Sequence, residues 1–228
     1  MPGGFKNKPK ILRGAFVEYG LSIPPLFVVF QFNPEQLTRN RSLTFSVPGE
    51  SKQTARQDRL YHTEKDLLKI QEKHKVDVAE ESISFDIRLD ATDELNEGNV
   101  IAREFGVGPR LSTLELMVHP KEDSLLGQAL GALLGSSGGF SFSRGANPPL
   151  ILFIWGRTRV LPVNINSLNI TETQFDTMLN PVRATASVSL TVIEGPNPLY
   201  SYSKAFKEVT SAFNLANITE IAEVVIPG

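Results

Sequence analysis

Ala184-Thr185-Ala186-Ser187-Val188-Ser189-Leu190-Thr191-Val192 places every apolar residue on one parity and every hydroxyl residue on the other. A period of two is the signature of a strand with one buried and one polar face. The outward face is wholly Ser and Thr, which suits a sheet facing water or a polar partner. We read this stretch as a central barrel strand. The same alternation recurs upstream. Leu43, Phe45 and Val47 alternate with Thr44 and Ser46, and Ile83, Phe85, Ile87 and Leu89 alternate with Ser84, Asp86 and Arg88. The longest apolar runs are Leu26–Phe30, inside a strand read over Leu26–Phe32, and Leu150–Trp155. Pro24-Pro25 and Pro148-Pro149 precede them. Such runs read as strands covered on both faces. In Val163–Ile170 the parity flips from Val163 and Ile165 to Leu168 and Ile170, which predicts a one-residue bulge near Asn166-Ser167.

Other segments break this pattern. Glu50–Val78 is dense in mixed charge, with Leu60, Leu67, Leu68 and Ile70 as sparse apolar points. It reads as a partly helical arm, too polar to build its own core, that contacts a neighbouring subunit. Thr92–Val118 reads as helix interrupted at Gly98 and at Gly106-Val107-Gly108-Pro109, with Leu111, Leu114 and Val118 on one face. Phe206, Val209, Phe213 and Ala216 stand at helical spacing within Tyr202–Ala216. Ser124–Asn147 is a Gly-rich loop carrying five leucines, enough to favour contact with a partner over water. The expected class is therefore α+β and β-rich: a β domain over 1–195, with the arm at 50–78 and the loop at 124–147, and a helical extension over 196–228.

The chain has 228 residues, which suits one medium-sized domain able to bury about 70% of its unfolded surface. Its 23 basic and 25 acidic residues leave a net charge of −2, against the basic excess of a nucleic-acid binder. There is no cysteine, which removes disulfides, thiolate metal sites and a Cys nucleophile. Residues 1–10 carry no apolar signal core, and the apolar runs are too short to span a bilayer. We expect synthesis in the cytoplasm and no direct membrane insertion.

No set of residues assembles into a recognisable active site, and no cofactor or metal is expected. Gly135-Ser136-Ser137-Gly138-Gly139 matches the G-x-S-x-G pattern but lacks the flanking strand and helix that make a nucleophile elbow. Gly106-x-Gly108 lacks the third glycine of a dinucleotide site. His62, His74 and His119 are not at zinc-helix spacing, and His119 ends a helix, where a cation suits the dipole. Asp86, Asp90, Asp93 and Glu94 form the densest acidic group; its position at a helix start favours capping over metal binding.

Phe30-Gln31-Phe32-Asn33-Pro34-Glu35-Gln36-Leu37 resembles the F-x-F-N-P-x-x-L signature of contractile injection system tube-domain proteins. Two later marks follow in the family's order: the apolar strand ending in Trp155-Gly156, and Phe175 followed by Asn180-Pro181-Val182-Arg183-Ala184. Leu89-Asp90-Ala91-Thr92-Asp93 is similar to the family's middle segment. The resemblance spans residues 10–195 and implies a phage tail-tube-like barrel. The implied role is a baseplate adaptor, a homo-hexameric ring between the inner tube or tube-initiator protein and the spike hub, beside other baseplate subunits. It marks Phe30, Phe32, Asn33, Pro34, Trp155, Gly156, Pro181 and Arg183 as structural or interface positions, to which the arm adds Leu60 and Leu67. The chain departs from the family in having Asn180 where Gly is usual, and in leaving too few residues after Gly195 for the LysM module many members carry. Arg183 is expected in a buried or interfacial ion pair or carbonyl contact. The alternative is a ligand- or carbohydrate-binding β-sandwich with Trp155 and Tyr200 as stacking residues.

Overall fold

A computed structural model describes residues 12–20, 26–46, 65–119 and 147–216. The strands are β1 (Ala15–Glu18), β2 (Phe27–Val29), β3 (Leu37–Asn40), β4 (Leu43–Ser46), β5 (Lys75–Val78), β6 (Ser82–Asp90), β7 (Ile151–Trp155), β8 (Arg159–Phe175) and β9 (Pro181–Val192). The helices are α1 (Leu67–Lys73), α2 (Thr92–Asn96), α3 (Val100–Phe105), α4 (Gly108–Val118) and α5 (Pro198–Phe213). Seven strands form one antiparallel sheet in the order β2-β1-β7-β8-β9-β6-β3, curled into a half-barrel, and β4 pairs with β5 as a separate ribbon.

The alternating stretch lies at the heart of this sheet. β9 runs between β8 and β6, and Ala184, Ala186, Val188, Leu190 and Val192 are all buried. Their cross-strand partners Ile87, Phe85 and Ile83 carry the same face onto β6. The parity flip in β8 is a bulge between Ile165 and Ser167; beyond it Leu168 and Ile170 face Val188 and Ala186. Phe16, Phe30, Phe85 and Phe153 meet in the core, with Phe16 and Phe30 edge to face at 5.2 Å between centroids. T-shaped pairs of this kind add to the area they bury.

Leu111, Leu114 and Met117 are the buried residues of α4. Met117 stands where Val118 was expected, because both fit one helical face after Leu114 and Val118 ends half-buried. The two glycine breaks are backbone requirements: Gly98 has φ +75° and Gly106 has φ +56°. A side chain at Gly106 would strike the carbonyl of Pro181, which accepts a hydrogen bond from Val107 N at 2.9 Å. The break thus presses the helical segment against the start of β9.

Two expected strands are corrected. Only Phe27–Val29 of Leu26–Phe32 pairs, and it forms a sheet edge; Val28 is buried while Phe27 and Val29 are 61% and 47% exposed. In β7, Ile151 and Phe153 are buried but Leu152 and Ile154 only half so. The runs are apolar on both parities, yet the described chain covers one face. Leu43 and Phe45 alternate as expected, but face away from the core on the β4–β5 ribbon; Val47 lies outside the described residues.

The β8–β9 turn is built differently from the expectation for Asn180. Leu179 takes the positive φ, +65°, and Gln174 a second one, +56°. Asp176 holds the turn by accepting from Met178 N at 2.7 Å, Asn180 N at 2.8 Å and Asn180 Nδ2 at 2.9 Å. A Leu in this region costs about 1 kcal/mol relative to a residue that tolerates it. Leu179→Gly is therefore expected to raise stability by about 1 kcal/mol, and Leu179→Val to lower it, in thermal melts.

Candidate assembly interface

The Phe30–Leu37 segment is held by its polar residues. Phe30 is fully buried. Gln31 clamps the end of β6 like a short strand pair: its Nε2 donates to Asp90 O at 2.6 Å and its Oε1 accepts from Asp90 N at 2.9 Å. Arg110 also donates to Gln31 Oε1, at 3.1 Å. Asn33 does the same for the chain before β1, accepting from Gly14 N at 2.9 Å and donating to Leu12 O at 2.8 Å. Phe32 is exposed, Pro34 half-buried, and Glu35 pairs with Arg88 at 2.7 Å. Gln31 was not singled out from the sequence. Its signal was a lone amide in an apolar run, which needs partners if it is to be buried.

Arg183 Nε pairs with Asp90 Oδ2 at 2.7 Å, and Arg183 Nη2 lies 3.5 Å from Thr92 Oγ1. The ion pair is there, but only part-buried, so it lies on the sheet surface and not in the core. Burial pushes the Asp90 carboxyl up; hydrogen bonds from Thr92 and the charge of Arg183 outweigh it and hold the group below its usual range. Asp90 Oδ1 accepts from Thr92 N at 2.8 Å in a turn just before α2, whose N-cap position is Ala91 and carries no side-chain cap, so the expected capping by this acidic group is not what is seen. A lysine in place of Arg183 could not keep both contacts, because its ammonium lacks the planar fork. Arg183→Lys is expected to cost about 0.5–1 kcal/mol by thermal melt, the scale of a half-exposed pair.

The remaining marked positions are mostly structural. Trp155 stacks on Phe153 with centroids 6.0 Å apart and touches Phe30, while Gly156 takes φ +69° in the β7–β8 turn. Pro181 opens β9. Leu67 is exposed on the first turn of α1. Leu60, the Gly-rich loop up to Ala146, and Ser137 within it lie outside the described residues. Tyr200 is half-buried against the core and donates to Glu194 Oε2 at 3.0 Å. Both aromatic rings of the carbohydrate-binding alternative are thus engaged by the fold.

The polar parity of β6, β8 and β9 lines a concave face. Ser84, Asp86 and Arg88 stand beside Ser187, Ser189 and Thr185, and residues 32–36 form one wall. Asp86 accepts from Ser187 Oγ at 2.6 Å. Among the described residues, no histidine lines this face. The acidic group expected to cap is dispersed among partners: Ser187 for Asp86, Arg183 and Thr92 for Asp90, and Arg110 for Glu94. The face suits contact with a polar surface.

No protein-family description and no curated protein matches the chain. Among the described residues, no helix is long and apolar enough to cross a membrane.

Among the described residues, large apolar side chains are exposed in many places; besides Leu67 and Leu68 on α1 and Val100, Ile101 and Phe105 on α3, four stand out. The edge of the main sheet shows Phe27 and Val29. The ribbon turns Leu43 and Phe45, with their opposite residues Val78 and Val76, to one exposed face, since directly opposed residues share a side. Helix α5 docks through Ser203, which bonds both the N–H and the carbonyl of Val160, and through Lys207, paired with Glu81 at 3.0 Å. Its exposed Tyr202, Val209 and Phe213, with half-buried Phe206 among them, run down the outer flank. The fourth place is the β8–β9 turn, with Phe175, Met178 and Leu179. Exposed apolar patches of this kind are candidate contact surfaces.

Proposed function

We propose that this chain is a structural subunit of the baseplate of a phage-tail-like contractile injection system, in which copies form a ring joining the inner tube to the spike hub. The observation that carries this reading is the contrast between the two ends of one sheet's outer, non-core face. The side bearing β9's hydroxyl parity is concave and polar along β6, β8 and β9, while at the β2 edge apolar residues stand uncovered. A subunit that buries its apolar edge against its neighbours, and leaves Ser and Thr facing a channel or a polar partner, has that division. Closing sheet edges on neighbouring copies also removes the open strands that would otherwise promote aggregation. The resemblance of Phe30–Leu37, Trp155-Gly156 and Asn180–Ala184 to tube-domain proteins supports the assignment to this machine.

In this reading the chain is not an enzyme and uses no cofactor. Its partners are itself, the inner-tube or tube-initiator protein, the spike hub and other baseplate subunits. α1 and β5 are the described part of the arm, and the exposed apolar face that β5 forms with β4 is the surface that would meet a neighbour. Electron cryomicroscopy of particles from cells producing the chain tests the assignment. A ring of this curled sheet at the junction of tube and spike is the expected result. Its absence from every such particle would overturn the proposal.

A further inference from the structure

The turn joining β8 and β9 combines three properties found together nowhere else among the described residues. It exposes large apolar side chains, with Met178 and Leu179 each 79% accessible. It holds Leu179, which with Gln174 at the end of β8 makes up the non-glycine residues of positive φ among those described. It is nonetheless fixed, because Asp176 accepts three hydrogen bonds across it. A strained conformation that the surroundings hold in place points to a function for the shape it presents. Here that shape is a rigid apolar knob.

The knob stands far from the uncovered sheet edge. Pro162 pairs with Leu152, the β7 neighbour of Val17, which in turn pairs with Phe27. From Pro162 to Phe175 the strand runs about 40 Å at roughly 3.3 Å per residue. The knob therefore cannot cover Phe27 and Val29 of its own chain without breaking β8. The charges are opposite at one end as well. Residues 171–180 hold Glu172 and Asp176 and no cation. The Val29 end of the apolar edge holds Arg13, just before β1, and Arg157, in the β7–β8 turn, while at the Phe27 end Glu18 accepts a bond from Leu26 N at 3.2 Å.

We infer that the β8–β9 knob of one copy docks on the Phe27–Val29 sheet edge of the next, a head-to-tail contact between identical chains. The inference rests on the ring-subunit reading and names the surfaces that meet. A heterologous contact of this type joins different patches of successive copies, which is what a closed ring requires. An acidic, apolar knob also suits a protein edge that is basic at one end better than an anionic membrane surface.

The test uses the full chain and three forms of it. The knob form carries Met178→Ser with Leu179→Gly, and the edge form carries Phe27→Ser, an exposed position; the third is their equal mixture. Mass photometry across a concentration series should show rings for the parent and at least a tenfold weaker assembly for each variant. The knob form should also melt no lower than the parent, because glycine relieves the strain at 179; loss of assembly is then not loss of fold. Mixed in equal amounts, the two variants should form 1:1 dimers and nothing larger, since each pair has one intact knob facing one intact edge. Rings of unchanged affinity from the knob form would overturn the contact and leave the ring reading standing. Full rings from the mixture would also overturn it. A parent chain that stays monomeric at every concentration would remove the ring reading and this contact together.

Discussion

Val188→Asp is expected to abolish cooperative folding or to lower the melting temperature by roughly 10–15 °C. Val188 is 3% exposed and sits between Phe85 on β6 and Leu168 on β8 in the centre of the seven-stranded sheet. A carboxylate there has no polar partner within its layer. It must either stay charged in an apolar setting or take up a proton, and either way the cost is about 4–5 kcal/mol. That is a large part of the 5–15 kcal/mol by which a typical domain is stable. The neighbouring Ser189→Asp is the control, since Ser189 lies on the opposite, polar parity and should shift the melt by only a few degrees. A parent-like melt for Val188→Asp would contradict the register of the whole sheet.

Glu81→Gln is expected to cost about 3–4 kcal/mol and to loosen α5 from the sheet. Glu81 lies just before β6 and its side chain is 3% exposed. Its carboxylate pairs with Arg39 on β3, with Arg41 at 3.4 Å and with Lys207 on α5 at 3.0 Å. Its backbone N–H donates to Glu194 Oε1 at 3.2 Å, and Glu194 also pairs with Arg41. Removing the charge leaves the Arg39 guanidinium and the Lys207 ammonium facing an amide in a part-buried site, where an unpaired cation is costly. Protease sensitivity within α5 should rise together with the fall in melting temperature.

The same group sets an acid limit. Burial pushes the Glu81 carboxyl up, but the hydrogen bonds and charges of Lys207 and Arg39 outweigh it and hold the group below its usual range. A depressed folded-state value means that the contribution is complete above the unfolded carboxylate range. It is lost as the pH falls through the folded value. The stability gap between parent and Glu81→Gln should therefore be constant near neutrality and shrink below about pH 5. Asp90, also held below its range, adds to the parent's acid sensitivity with the same sign. A gap that stays constant on acidification would show that the charge of Glu81 is not what ties α5 down.

The sequence made the sheet legible where one face is buried and the other wet. β9, β6 and the β8 bulge follow from the parity of a few residues, because a period of two admits one register when one face must be covered. The helical breaks at Gly98 and Gly106 were legible from the glycines themselves. The edge was not. Phe27, Val29, Leu43 and Phe45 look like core residues in a sequence, and hydrophobicity does not say whether the cover comes from the same chain. The Arg183 ion pair was foreseen, but its partner Asp90 is 93 positions away and follows only from the pairing of β6 with β9. Gln31 and Glu81 escaped for a similar reason: each is a single polar residue whose role depends on partners remote in sequence. Asn33, a position the resemblance had marked, also has its partners remote in sequence. The positive φ at Leu179 escaped because sequence suggests Asn180 for that role, whereas Asp176 fixes the turn one residue earlier.

The central claim is that identical copies of this chain assemble into a closed ring. The mass of the purified chain in solution tests it most directly, measured by native mass spectrometry from nanomolar to tens of micromolar. A discrete closed species should grow in with concentration, about 150 kDa for six copies of the 25.1 kDa chain, with no open series of larger polymers. A single 25.1 kDa species across the whole range would contradict it.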